Sequence, residues 1–319
     1  MFKGDLEEEI IIRKKVKIPL NDLNDLNVLN KDVKQDDEVK IVKKKKVTIE
    51  NFIEVKKSNI ENIFSKTFTL TFGDQGENHT GMQKIGALID KGFTVKEVND
   101  IKKIFEEKGY TTEYYCLNDI LKGVDEKVEE AVIVVVRNGL NMLLDELDDG
   151  LNLFFKEQDL LKKDSKALMR GRVVNKHARY NLCFSDFSQE ADFEKGKGTV
   201  VDFKEVELLN KVRKNISKYF GEKCSDIIAE GNYYYDPSKC GIGYHGDSER
   251  KIVIGVRVGK EMPLCFRWYH RSEIVSETLK IMLGHGDIYF SSEKAVGFDW
   301  KKSSKYTLRH AAGCDKYIK

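Results

Sequence analysis

The sequence has 319 residues and a formal net charge of +2; 40% of its residues are hydrophobic and 34% are charged. This composition supports a packed core. The charge is too balanced to indicate a general polyanion-binding protein, so any basic surface must be local. No apolar run approaches the roughly 20 residues that span a bilayer, which argues against a membrane protein. The six cysteines include no CxxC pair and the N-terminus is unlike a secretory signal, so we expect an intracellular protein, cytoplasmic or nuclear rather than secreted.

Residues 1–62 are predicted to form a charged, poorly structured arm. The segment contains NDLNDLNVLN, which has a three-residue repeat, and four consecutive lysines at 43–46. A solvated arm is the favoured interpretation because so few apolar residues recur at a regular period, and a nucleic-acid tether is the alternative.

Residues 63–155 are predicted to form a small α/β unit. FTLTF at 68–72 alternates as a strand does, and GMQKIGALIDKG at 81–92 has apolar residues at helical spacing. Thr94 and Glu97 form a capping box for a second helix. The β-branched run AVIVVVR at 131–137 predicts a buried strand.

Residues 156–319 show a different pattern, in which one amphipathic helix at 204–223 is followed by many short strands. The strand-like segments are RGRVVNKHARYNLCF, GTVVDF, GNYYYD, KIVIGVRVG, LCFRWYHR, GDIYFSS and YTLRHAAG. Short strands separated by Gly, Asp and Ser turns are typical of a β-sandwich or barrel. The predicted fold class is therefore α+β.

The triplet His245-Gly246-Asp247 is the segment most suited to chemistry. On an extended chain, residues i and i+2 project to the same face, so His245 and Asp247 can present an imidazole and a carboxylate to one point. This pair suits Fe(II) in a site of two histidines and one carboxylate. A chance HxD in an exposed turn is the alternative, because so short a pattern recurs by accident.

The surrounding motifs make the C-terminal part similar to a known family. Asn232-Tyr233-Tyr234, then His245-Gly246-Asp247, then Gly286-Asp287 and TLRHAAG resemble the AlkB-like branch of the Fe(II)- and 2-oxoglutarate-dependent dioxygenases, over roughly residues 165–319. From TFGDQGENHTGMQKIG onward the chain also resembles longer AlkB-like proteins of large DNA viruses. The resemblance implies a C-terminal double-stranded β-helix (jelly roll) dioxygenase domain with a smaller N-terminal α/β unit.

The resemblance also implies that the protein uses Fe(II), 2-oxoglutarate and O2, and it implies which residues hold the iron and the 2-oxoglutarate. His245 and Asp247 would be the catalytic iron ligands. Asn232 and Tyr234 would hydrogen-bond 2-oxoglutarate, and Arg309 would clamp one of its carboxylates, a task suited to a bidentate guanidinium.

The third iron ligand is where the sequence departs from the family pattern. Lys301 or Lys302 stands where the family normally has its distal histidine. His310 is the first candidate for this ligand, His285 is the second, and an incomplete site is the third possibility.

His310 brings a geometric difficulty with it. Neighbours on a regular strand face opposite ways, so Arg309 and His310 cannot both point inward without a bulge. If His310 is the ligand, Lys305 or Lys316 is an alternative carboxylate clamp.

Basic and aromatic residues lie close together in two segments, KALMRGRVVNKHARYNLCF at 166–184 and RWYHR at 267–271. They predict a nucleic-acid surface, because cations contact phosphates and aromatic rings stack on bases. Strand faces carrying solvated cations are the alternative, and for the segment NKHARY at 175–180 the two interpretations have equal weight. The resemblance implies a recognition lid here and a target base flipped into the pocket. The predicted substrate-binding residues are Arg172, Lys176, Arg179, Trp268 and Tyr269.

The predicted activity is hydroxylation or demethylation of an alkyl group on a DNA or RNA base, a nucleic-acid modification of the kind used in DNA repair. One alternative is a 2-oxoglutarate-dependent hydroxylase of a protein side chain. Another is a non-catalytic nucleic-acid-binding module with a degenerate iron site. The sequence leaves open the base, the choice between DNA and RNA, and the oligomeric state.

Overall fold

The structure is a computed structural model that describes residues 65–124 and 127–319. Its contacts divide the chain into two units, Met1–Ile60 and Glu61–Lys319, and every described residue belongs to the second unit. The predicted charged arm at 1–62 lies outside the described residues.

The described residues form seventeen strands and six α-helices. The strands are β1 (Thr67–Gly73), β2 (Gln75–Glu77), β3 (Lys84–Gly86), β4 (Thr112–Cys116), β5 (Val132–Val136), β6 (Lys166–Met169), β7 (Arg172–Asn175), β8 (Tyr180–Ser185), β9 (Val200–Asp202), β10 (Ile228–Tyr234), β11 (Gly241–His245), β12 (Ile254–Gly259), β13 (Met262–His270), β14 (Glu273–Ile274), β15 (Leu279–Leu283), β16 (Ile288–Ser291) and β17 (Thr307–Gly313). The helices are α1 (Val95–Glu107), α2 (Leu140–Leu143), α3 (Gly150–Leu160), α4 (Glu207–Phe220), α5 (Glu293–Val296) and α6 (Asp315–Ile318). Short 3-10 turns occur at Leu117–Ile120, Phe193–Lys195, Phe203–Glu205 and Glu222–Cys224.

The larger sheet has eight strands in the order β4-β5-β16-β12-β1-β10-β8-β9. Its central strand β1 confirms the alternation predicted from the sequence. Phe68, Leu70 and Phe72 are buried on the face that packs against the helices, whereas Thr69 and Thr71 line a cavity on the other face. The alternation follows from the two-residue period of a strand.

Helices α1 and α4 cover one face of the larger sheet, and both match the sequence prediction. Thr94 and Glu97 form the predicted capping box at the start of α1, with each side chain bonded to the other residue's backbone. Helix α4 lies within the amphipathic segment predicted at 204–223, and the apolar residues on the inward side of this segment are buried. These residues are Val206, Leu209, Val212, Ile216 and Phe220.

The second sheet contains β11, β17, β13 and β14 in that order, and β15 pairs with β13. Apolar residues of both sheets meet in a second core cluster that includes Val135, Leu264, Trp268 and Leu308. The described chain is thus a mixed α+β fold, composed mostly of strands, in which helices and the second sheet cover opposite faces of the larger sheet. None of the helices that the structure describes is long and apolar enough to cross a membrane.

One local expectation differs from the structure. The helix predicted at 81–92 is absent, and the segment contains the short strand β3 instead. Gly86 has a φ of +86°, and a Cβ there would lie 2.4 Å from the Asp74 carbonyl oxygen. A helix requires negative φ, so the periodicity of this segment reflects Ile85 packing against the sheet rather than a helix face.

The division predicted at residue 155 does not appear in the sheet. Strand β1 pairs with β10 and β12, and β5 pairs with β16. Strands from both predicted domains therefore share one hydrogen-bonded sheet, because the pairing partners are distant in sequence and the sequence pattern carries no information about them.

Candidate metal centre

The candidate metal centre lies where β11 and β17 run side by side in the smaller sheet. The two strands pair Ile242 with Ala312, and a regular antiparallel continuation would place Arg309 opposite His245. An irregularity of the β-bulge type between Ile242 and His245 shifts the register, so that His310 pairs with His245 instead. Bulges re-aim side chains, and this one brings two histidines together.

His245, Asp247 and His310 form a cluster in which one ligand atom from each residue lies within 4.8 Å of the others. Asp247 Oδ1 is 3.5 Å from His245 Nε2 and 3.6 Å from His310 Nε2. The centroids of the two imidazole rings are 4.4 Å apart. Two atoms that bind one ion at about 2 Å lie no more than about 4 Å apart. The carboxylate and each imidazole are therefore already at a spacing compatible with one shared ion.

The local backbone orients this cluster. His245 Nδ1 is 2.8 Å from the Gly243 carbonyl oxygen. A carbonyl only accepts, so Nδ1 carries the hydrogen and Nε2 keeps its lone pair for a metal. Gly246 permits the close approach of the chain behind Asp247, because a Cβ there would lie 2.2 Å from the Gly297 carbonyl oxygen.

The charges around the cluster favour metal binding. Burial lowers the pKa of His310 well below its usual value, and nearby His245 and Arg250 lower it further. His310 is therefore a neutral imidazole at pH 7, as coordination requires. The buried Arg250 contacts Glu230 and places its Nε 3.7 Å from Asp247 Oδ2. One oxygen of Asp247 thus faces an arginine while the other faces the histidines.

The cluster opens into a cavity of about 370 Å³ lined by both sheets. This volume is within the range of about 300–1,000 Å³ that is usual for small-molecule sites. The larger sheet contributes Thr69, Thr71, Glu230, Asn232, Tyr234, Arg257 and Tyr289, and the smaller sheet contributes Ile242, His245, Leu264, Phe266, His310 and Ala312. Further lining residues come from connecting segments and β2, among them Glu77, His79, Arg179, Glu249, Trp300 and Lys301.

Two of the three residues predicted to bind 2-oxoglutarate line this cavity. Asn232 and Tyr234 lie on β10 of the larger sheet, across the cavity from the metal cluster. The Asn232 carboxamide is held in place, since its Oδ1 accepts hydrogen bonds from Arg179 and from Asn181 Nδ2, the latter at 2.9 Å.

Arg309, the third of these residues, packs between two aromatic rings, and its guanidinium carbon lies 5.3 Å from the centroid of the Trp300 ring. The same carbon lies 4.0 Å from the centroid of the Tyr269 ring, and Arg309 is absent from the described lining of the cavity. Because His310 points inward, its neighbour on the strand must point outward.

The alternatives to His310 and Arg309 lie elsewhere. His285 Nδ1 accepts the backbone N–H of Gly259 at 3.0 Å, and His285 does not line the described cavity. Lys305 and Lys316 are exposed and do not line it either. Of these candidates, only His310 lies in the cluster with His245 and Asp247 and lines the described cavity.

Only Arg179 of the five predicted substrate-binding residues lines the cavity. Arg172 is exposed on the β6–β7 hairpin. Lys176 is committed to Asn78 and Asn181 through hydrogen bonds of 2.8 and 3.0 Å, and burial lowers its pKa to about 8.

The two predicted aromatic contacts are structural. Trp268 is fully buried and its Nε1 donates to the Leu117 carbonyl oxygen at 2.6 Å. Tyr269 is covered by Arg309. Both rings complete the packing around β13, so their aromatic character reflected the core rather than base stacking.

No protein-family model matches the sequence. The chain is 46% identical over 255 residues to an uncharacterized protein of Acanthamoeba polyphaga mimivirus, and the alignment covers 80% of this chain and 98% of the relative. The chain belongs to the same family as that protein. The description of this mimivirus relative names no activity, so the chemistry of the site is inferred from its residues.

Three cavity residues of this mimivirus-related chain were not predicted from its sequence. Arg257 and Thr69 lie on β12 and β1, and Trp300 follows α5. Arg257 had a detectable signal, since it is the single cation inside the apolar run IVIGVRVG. Thr69 had a weaker one, because TFTLTFG places a threonine at every second position.

Proposed function

We propose that this chain is an Fe(II)- and 2-oxoglutarate-dependent dioxygenase. One observation carries the proposal: His245, Asp247 and His310 hold two imidazoles and one carboxylate within 4.8 Å at the wall of a cavity. Two histidines and one carboxylate that leave coordination positions open are the ligand set of non-haem Fe(II) oxygenases.

The strand arrangement supports the corresponding fold. In the larger sheet β10, β1, β12 and β16 are consecutive neighbours, and in the smaller sheet β11, β17, β13 and β15 are consecutive neighbours. Two facing sheets of four strands each are the layout of a double-stranded β-helix, with the metal ligands on the inner face of one sheet.

With iron, 2-oxoglutarate and O2 bound, the site would supply an oxidant able to hydroxylate a C–H bond, and 2-oxoglutarate would leave as succinate and CO2. The residues of the chain would do the positioning. His245 Nε2, His310 Nε2 and one Asp247 oxygen would hold the metal from one side, while Asn232 and Tyr234 would orient the cosubstrate from the opposite wall. The apolar surfaces of Leu264 and Phe266 beside the cluster would limit access of water.

The proposed substrate is an alkyl group on a DNA or RNA base. Arg179, Trp300 and Lys301 line the same cavity as the metal cluster, and Lys301 Nζ lies 5.5 Å from the centroid of the Trp300 ring. A ring beside cations suits a stacked base and its phosphates. Hydroxylation of an N-methyl group would release formaldehyde and the bare base, whereas a hydroxylated C-methyl group would stay on the base.

A protein side chain is the second candidate substrate, and one observation favours it. Glu77, Glu230 and Glu249 also line the cavity, and burial together with the other two carboxylates raises the pKa of Glu77 to about 7. Clustered carboxylates repel phosphates but attract a cationic group such as a lysine or arginine side chain.

Two measurements test the proposal in order. Anaerobic titration of the full chain with Fe(II) should show one bound ion. After O2 is admitted, the metal-loaded protein should convert 2-oxoglutarate to succinate and CO2 in the presence of its substrate. Methylated oligonucleotides and basic peptides, compared by mass spectrometry, separate the two substrate classes. A wild-type protein that takes up no Fe(II) under these conditions refutes the proposal.

A further inference from the structure

Arg257 is a buried cation without a counter-ion. It lies on β12, is 1% exposed, and lines the cavity. Its Nε has no hydrogen-bond partner, and its Nη1 makes only a 3.4 Å contact with the Met262 carbonyl oxygen. Burial of this kind lowers the pKa of Arg257 and costs several kcal/mol unless an anion compensates it, as estimated for buried ions in general.

The carboxylates near Arg257 are already used by other groups. The Asp287 carboxylate accepts hydrogen bonds from Arg137 Nη1 at 2.6 Å and from the backbone N–H groups of Asn138 and Gly284 at 3.1 and 2.8 Å. Within 65–124 and 127–319, no carboxylate lies within 4.0 Å of the Arg257 guanidinium. The other buried arginine of the cavity, Arg250, differs in this respect because it contacts Glu230 and Glu249.

A second unpartnered donor lies directly beside Arg257. Thr69 on β1 is its register partner across the antiparallel pair, is 4% exposed, and has an Oγ1 without a hydrogen-bond partner. Thr69 also lines the cavity. Buried polar atoms almost always have partners, and the cavity that both residues line has room for a ligand that would complete both donors.

We propose that Arg257 and Thr69 form a carboxylate-binding subsite in the wall of the cavity opposite the metal cluster. The identity of the ligand rests on the proposed function: the subsite takes the carboxylate of 2-oxoglutarate that does not reach the metal. The guanidinium supplies the charge and the hydroxyl supplies a further hydrogen bond. Arg257 thereby performs on the larger sheet the task that the sequence predicted for Arg309.

The test measures 2-oxoglutarate binding to the full chain loaded with Mn(II), by calorimetry in the absence of turnover. Arg257→Met should weaken binding by roughly 100-fold and Thr69→Val by about tenfold, as expected for loss of a charged and of a neutral donor to a buried carboxylate. Arg267→Met is the matched control, because this guanidinium packs over the Tyr244 ring at 4.4 Å and does not line the cavity, so the affinity of the variant should equal that of the wild type.

A second readout distinguishes ligand binding from a structural role. Without ligand, Arg257→Met should unfold at the wild-type temperature or above, because an uncompensated buried charge is removed. Arg257→Lys, which keeps the charge, should bind 2-oxoglutarate more tightly than Arg257→Met. A lower unfolding temperature for ligand-free Arg257→Met would assign the arginine to packing and overturn the subsite.

Failure of the subsite and failure of the proposed function give different results. Unchanged 2-oxoglutarate affinity in Arg257→Met overturns the subsite and leaves the dioxygenase proposal intact. If wild-type protein binds Mn(II) but no 2-oxoglutarate, the cosubstrate proposal fails. In that case glutarate tests the subsite alone. If glutarate raises the unfolding temperature of metal-free wild type but not of Arg257→Met, a carboxylate subsite is supported. If glutarate does not raise the unfolding temperature of the wild type, the subsite is overturned.

Discussion

Arg309 and His310 are neighbours on β17 whose side chains leave opposite faces of the smaller sheet. His310 Nε2 lies 3.6 Å from Asp247 Oδ1 inside the cavity, while the Arg309 guanidinium lies over the Tyr269 ring on the outer face. The pleat of a strand allows only one of two neighbours to point inward, so His310 joins His245 and Asp247 at the cavity and Arg309 does not line it.

This relationship predicts the effect of Arg309→Ala. We expect the 2-oxoglutarate affinity to stay within about twofold of the wild type, because the guanidinium is outside the cavity. The unfolding temperature should fall by a few degrees, since a cation over an aromatic ring contributes about 1 kcal/mol. Calorimetry and thermal unfolding check the two parts separately, and a large loss of cosubstrate affinity would contradict the placement of Arg309.

The ligand set predicts the effect of His310→Ala. Removing one of three ligands should weaken Mn(II) or Fe(II) binding by more than about 100-fold, because even partners that merely orient ligands are worth 10–100-fold. Anaerobic calorimetry measures this loss. His177→Ala is the matched control, because His177 is exposed and does not line the cavity. Equal metal affinity in both variants would remove His310 from the site.

The close approach at Gly246 predicts a steric effect on the metal centre. In Gly246→Ala the new Cβ would lie 2.2 Å from the Gly297 carbonyl oxygen and 2.8 Å from Trp300 Cβ, so we expect a destabilisation of about 1–3 kcal/mol and weaker metal binding. Gly284→Ala is the control, because it does not line the cavity and its Cβ would meet only Asp287 Oδ2, at an ordinary contact distance of 3.7 Å. Thermal unfolding and metal titration of both variants test this, and similar behaviour of the two would contradict the steric argument.

Glu77 predicts a pH dependence of stability. In the folded protein, burial and the nearby Glu249 and Glu230 raise its pKa from 4.5 to about 7. The folded state therefore binds this proton more tightly than the unfolded state, and ionisation destabilises the fold progressively between pH 4.5 and about 7, with no further change above that range.

Glu77→Gln should remove this loss of stability between pH 4.5 and about 7. Relative to the variant, the wild type should lose a few degrees of unfolding temperature as the pH rises from 4.5 to 7, measured in EDTA so that metal binding does not contribute. Glu107→Gln on the exposed face of α1 is the control. Parallel pH profiles for wild type and Glu77→Gln would show that Glu77 titrates at the same pH in both states.

Part of the candidate site was predictable because it depends on neighbours in the sequence. His245 and Asp247 meet because they are two residues apart on an extended segment, and Asn232 and Tyr234 share a face of β10 for the same reason. Trp268 and Tyr269 are buried, although the sequence predicts them at a substrate surface, because an amphipathic aromatic pattern is the same for a core strand and for a base-stacking surface.

The sequence by itself determined the local features: the alternation of β1, the capping box of Thr94 and Glu97, the apolar face of α4, and the HxD pair. Each of these follows from backbone periodicity over a few residues. Only the tertiary structure decided that a bulge pairs His245 with His310 and that Thr69 lies beside Arg257. Those contacts join residues 65 or more positions apart, and their register depends on which strands become neighbours in a sheet, information that no short segment contains.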